Sequence, residues 1–222
     1  MSPRATLDAA KDSSPSRTDE RRKSGRVAAY LAAPLWALQA AIWLAAPKVQ
    51  ETTAPFAITK PLLFVLFWLS IAGAIAFSAV AAAEIPRAIQ GLGSQVSRWA
   101  RVLAMIGLTL ASAATIAIVA AVFPSIQAPA ISLMTNLLNG AMLILALSVS
   151  LSAFLAWRVN RAPRSTSILV TGLAVATIAM IAAILASGSQ SVIGLYAAVA
   201  VAAGSGVVWF VWARTSATGR RR

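Results

Sequence analysis

Residues 131–157 read ISLMTNLLNGAMLILALSVSLSAFLAW, a run without one charged side chain. As a helix rising 1.5 Å per residue it would extend about 40 Å, more than the about 30 Å hydrocarbon core of a bilayer, so it spans with tilt or protrudes into a headgroup zone. Two amides stand near its start. Asn136 and Asn139, with Gln39, are the most polar side chains in any apolar segment of the chain, and lipid offers them no hydrogen-bonding partner.

Working outward, the composition fits the same class. Of 222 residues, 59% are hydrophobic and 11% charged, a balance not expected of a soluble domain of this size. Five further apolar runs of spanning length follow from hydropathy: Val27–Ala46, Pro61–Ala83, Val102–Phe123, Ser167–Ser187 and Val192–Ala213. The sequence thus predicts an all-α integral membrane protein with six transmembrane helices. The expected organisation is a disordered basic tail over 1–26, a six-helix bundle over 27–213 and a basic tail over 214–222. Val27–Ala46 is longer than the apolar part of a secretory leader, and Leu44 stands where a cleavage site wants a small residue, so an uncleaved signal-anchor is expected.

The formal net charge of +13 reads as topology. Arg87, Arg98 and Arg101 follow the second run, Arg158, Arg161 and Arg164 the fourth, and Arg214 and Arg220–Arg222 the sixth. The opposite side carries only Lys48 and Lys60, offset by Glu51. Cationic loops stay cytoplasmic, which puts both termini inside a plasma or inner membrane, and the Arg-over-Lys, Ala-rich usage suits a GC-rich bacterial genome. The short uncharged connections Pro124–Ala130 and Gly188–Ser191 then make three antiparallel hairpins in series. The charge has no nucleic-acid module to serve, and the bilayer is the partner expected for it.

Between the second and third spans, Ile85, Ile89, Leu92, Val96 and Trp99 recur at helical spacing, with Arg87, Arg98 and Arg101 opposite. A short amphipathic helix opening at Pro86 and lying flat at the cytoplasmic interface is expected, or else extensions of the neighbouring spans. Gly91 and Gly93 oppose a long rigid helix.

Counting rise per residue puts Gln39 and Asn139 both about 12 Å below the outer boundary. Trp36, Gln39 and Trp43 share one face of the first span, and Ser132, Asn136, Asn139 and Ser150 one face of the fourth. With Ser70 and Thr115 near that depth, a polar layer of Gln39, Ser70, Thr115, Asn136 and Asn139 is expected. It either joins helices, at about 1 kcal/mol per contact, or lines a cavity. Trp36 and Trp68 lie deep and need indole partners, for which Gln39 or Ser70 can serve. Trp99, Trp157, Trp209 and Trp212 are placed to anchor the cytoplasmic boundary, and Trp43 the outer one. Gly194, Ala198, Ala202 and Gly206 repeat every four residues on the sixth span, and Ala72 and Ala76 do so on the second, the pattern of close backbone approach within the bundle or at a homodimer seam.

Catalytic chemistry has little to work with. There is no cysteine and no histidine, and of six carboxylates none lies inside a span: Asp8, Asp12, Asp19 and Glu20 are in the tail, Glu51 in an outer loop and Glu84 at the cytoplasmic edge near Arg87. Proton relays and metal-assisted transfers draw on such groups. No cofactor, metal site or enzymatic activity is expected. The function expected is that of an accessory or partner subunit acting through helix packing on another membrane protein or a second copy. The alternatives are a carrier for a small neutral or amphipathic molecule, with the amide layer along its path, and, third, a lipid-modifying enzyme depending on Glu84.

Overall fold

The computed structural model describes residues 17–45, 61–88, 95–158, 164–186 and 192–218. Among these there is no strand. Among the described residues six α-helices follow one another: α1 (Arg17–Ala45), α2 (Pro61–Ala88), α3 (Gln95–Ala120), α4 (Gln127–Arg158), α5 (Arg164–Ala186) and α6 (Val192–Thr218), with a 3-10 turn, Pro124–Ile126, leading into α4. Three stretches are long and apolar enough to cross a membrane: Pro61–Pro86, Gln95–Ala120 and Pro124–Arg158. Two shorter apolar stretches, Ser167–Ala179 and Val199–Thr215, lie in α5 and α6. Helices of this length and composition suit a membrane, since their backbone groups are satisfied within the helix.

Each helix packs on its neighbours in sequence, and α6 returns to α1, so the six close into a ring. A further contact between α2 and α4 crosses its interior. The core is built largely of alanine, with Ala29, Ala32, Ala74, Ala104, Ala111, Ala114 and Ala141 fully buried around Phe64, Phe67, Ile75, Met134 and Leu145. Small side chains bring helix axes close, and dispersion contacts then do the work that water exclusion does in soluble proteins. At Gly206 an added Cβ would stand 2.9 Å from the Ala33 carbonyl oxygen, and at Gly107 3.4 Å from that of Ala141. Those glycines set how near α6 comes to α1, and α3 to α4.

Several boundaries differ from expectation. α1 begins at Arg17, ten residues before the apolar run, because Arg, Lys and Glu are good helix formers, acidic Asp19 and Glu20 sit in the first turn, and an established apolar helix needs no new nucleus to grow backwards. In place of a separate helix opening at Pro86, the stretch is shared between its neighbours. Ile85 and Arg87 close α2, with Pro86 inside it, and Val96, Arg98 and Trp99 open α3. Ile89 and Leu92 lie outside the described residues. Their expected common stripe does not form from the rest, since Ile85 is buried in the core while Trp99 and Arg98 are exposed. The α3–α4 connection occupies 121–126 rather than 124–130, held by Ala121 N–H to Ala117 O at 2.9 Å and Ile126 N–H to Phe123 O at 3.1 Å.

The tryptophans divide. Trp99 and Trp157 are exposed, as boundary anchors would be, but Trp209 and Trp212 are buried, edge to face at 6.1 Å between ring centroids. They belong to the packed interior of the bundle. Nothing is described of the Trp43 side chain.

Candidate functional site

A cluster of polar groups inside the ring lies between α1 and α2, whose chains run in opposite directions there: Gly25 meets Glu84, and Leu35 meets Gly73. Gln39 comes from the apolar second half of α1 and is completely buried. Its Nε2 donates to the Ser70 hydroxyl and, at 3.2 Å, to the Phe67 carbonyl oxygen. Ser70 Oγ in turn donates to the same carbonyl at 2.7 Å. The three groups form a closed triangle. Nearer the charged ends, three residues back along α1 and eight residues on along α2, the buried Trp36 indole N–H donates to Ser78 Oγ at 3.0 Å. Polar side chains of α1 thus grip α2 at two levels, with Phe67 and Trp68 stacked edge to face at 5.2 Å beside the upper one.

The expected layer is therefore brought together only in part. Gln39 and Ser70 meet. Thr115 is half-buried and turns back on its own helix, its hydroxyl bonded to Ser112 O at 2.6 Å. Asn136 and Asn139 are exposed on the outer surface of α4, as is Ser132. The rotation of α4 that buries Met134, Leu138, Ala141 and Leu145 in the core carries both amides away from Gln39. Trp36 takes Ser78 as its partner and neither Gln39 nor Ser70. Its register on α2 is set by the whole α1–α2 seam.

Further polar contacts between helices escaped the sequence reading, among them that of Ser167 in α5, whose buried hydroxyl donates to the Ala156 carbonyl oxygen of α4 at 3.3 Å. Ser148, buried in α4, donates to the Ala100 carbonyl oxygen of α3 at 2.7 Å, and Ser152 one turn on returns to Ser148 O at 2.9 Å. Trp157 Nε1 donates to Thr171 Oγ1 at 2.8 Å, joining α4 to α5. The Ser148/Ser152 spacing of four is the one signal that marked that face. Glu84 packs over the bare backbone of Gly25, where a Cβ would stand 2.5 Å from its Cγ.

In chemical terms this arrangement is a helix clamp. Gln39 Oε1 and Trp68 Nε1 are buried with no hydrogen-bonding partner among the described residues. One is an acceptor and the other a donor. Among the described residues no three His, Cys, Asp or Glu side chains gather as a metal-ligating group. Compared with family models, curated proteins and solved structures, the chain matches none.

Proposed function

We propose that this is a six-pass protein of a bacterial plasma membrane, both termini cytoplasmic, that works without catalysis as an accessory or partner subunit. What carries the reading is how Gln39 is used: its amide hydrogens are committed to the Phe67 carbonyl and the Ser70 hydroxyl, so the deepest polar side chain of α1 is spent on joining two helices. The buried Trp36–Ser78 and Ser148–Ala100 bonds are spent the same way. A protein whose interior polarity goes into holding its own shape acts through its outer surface.

A subunit of this kind holds a reproducible neighbour in the bilayer. Photo-crosslinking from exposed α4 and α3 positions in native membranes, followed by mass spectrometry, is expected to capture one recurrent membrane protein or a second copy. Absence of any recurrent adduct contradicts the reading. A carrier of a small neutral molecule is favoured by a specific pair of atoms, the unpartnered acceptor Gln39 Oε1 and donor Trp68 Nε1. On that second reading Gln39→Leu stops solute movement while the protein still assembles. On the first it weakens assembly.

A further inference from the structure

The outer face of α4 is patterned as a seam. Ser132, Asn136, Asn139, Leu143, Leu147 and Phe154 are all exposed, and at 100° per residue they fall within about 80° of arc. Their steps of four, three, four, four and seven track the repeat with which one helix follows another. The two amides stand on this stripe, and among the described residues no hydrogen bond holds either one.

Their depth gives the exposure its meaning. A Cβ on Gly140 would lie 3.6 Å from Leu110 Cδ1 of α3, which sets Asn139 at the level of Leu110. Leu110 is nine residues from Arg101 and ten from Ala120, about 14 and 15 Å along the helix. Asn139 is thus midway between the arginine end of α3 and its apolar end. An amide facing lipid there costs several kcal/mol until something pairs with it.

We propose that the partner is a second copy of this chain, docked through α4 about a two-fold axis along the membrane normal, with Asn139 facing Asn139 and Asn136 facing Asn136. The inference rests on the membrane-spanning reading above. Its specific ground is self-complementarity. A carboxamide both donates and accepts, so two identical amides satisfy one another. A copy inserted in the same orientation carries its amides at the same depths without any search for register. An unrelated partner would need polar groups at both levels. Leu143, Leu147 and Phe154 supply the apolar packing on the charged-end side of the amides, where each helix offers exposed surface.

The chain has no cysteine, so single cysteines report contacts against a silent background. In native membranes under mild oxidation, Leu143→Cys is expected to form a disulfide-linked homodimer, and Leu38→Cys, exposed on α1 across the ring, is not. Adding Asn136→Leu and Asn139→Leu is expected to lower association about threefold to tenfold per amide pair in a dilution series, and Asn139→Gln to retain it. Loss of the protein from membranes on alkaline washing overturns the spanning reading and the dimer with it. Retention in the membrane overturns the dimer alone if Leu143→Cys yields only monomer or an adduct with a different protein, if Leu38→Cys links equally well, or if the two leucine substitutions leave association unchanged.

Discussion

A glutamine in a greasy helix has few ways to be useful, and Gln39 takes one of them by reaching across to a main-chain carbonyl. Phe67 O accepts from both Gln39 Nε2 and Ser70 Oγ, so a single main-chain acceptor ties the two side chains together. The net worth of such contacts in a bilayer is modest, about 0.6–2 kcal/mol, because the separated helices find other partners. A double-mutant cycle of Gln39→Leu and Ser70→Ala should accordingly give a coupling energy of that size in apparent unfolding free energy. A coupling of zero would mean the two side chains do not act together. Trp36→Phe removes one indole hydrogen and leaves Ser78 Oγ buried without its donor, so it is expected to cost about 1–2 kcal/mol. Restoring stability with a second change, Ser78→Ala, would identify the orphaned hydroxyl as the source. At this scale the sequence was legible in depth and blind in direction. Counting rise per residue placed Gln39 and Ser70 at a common level, but Asn136 and Asn139, equally polar and near the same level, point outward. Lipid is as apolar as the core, so α4 carries hydrophobic side chains on every face and its pattern does not say which face turns inward.

Elements show the same economy. α6 meets α1 at Gly206, with Ala202 buried one turn earlier, and at Gly206 the two backbones come as near as they can. Gly206 is the sharper test. Alanine in a helix gains about 1 kcal/mol over glycine from backbone entropy alone, yet at 206 its methyl would stand 2.9 Å from Ala33 O, a backbone atom unable to move aside. Gly206→Ala is therefore expected to lower the thermal midpoint of the detergent-solubilised protein, by a destabilisation of about 1–3 kcal/mol. Gly204→Ala, two residues earlier and facing nothing within 4 Å, is expected to leave it unchanged or raise it. Equal effects at 204 and 206 would contradict the packing described. The four-residue spacing of small side chains announced this contact, and its tail, Gly194 and Ala198, has no described surroundings. Helix ends were less legible than helix middles. Charged residues 17–26 are no obstacle to a helix, and the arginines around 87–101 fit on the ends of two long helices as readily as on a short one of their own.

For the whole molecule, the ring of six helices arranges its charges in a single pattern. Arg26 lies on the early part of α1, Arg98 and Arg101 open α3, Arg158 closes α4, Arg164 opens α5 and Arg214 lies near the end of α6. In a chain folded up and down, those positions gather at one end of the bundle. That is the distribution which holds a membrane protein in one orientation, and it fits basic loops on the cytoplasmic side. The alanine-rich interior, the glycine contacts and the inter-helix hydroxyl bonds all serve a compact bundle. The most direct measurement uses the cysteine-free background: a single cysteine placed after Lys48 and another placed after Arg161, each probed in intact cells with a thiol reagent that does not cross membranes. Labelling at the first position only is the predicted result, and labelling at both or at neither would contradict the six-pass layout.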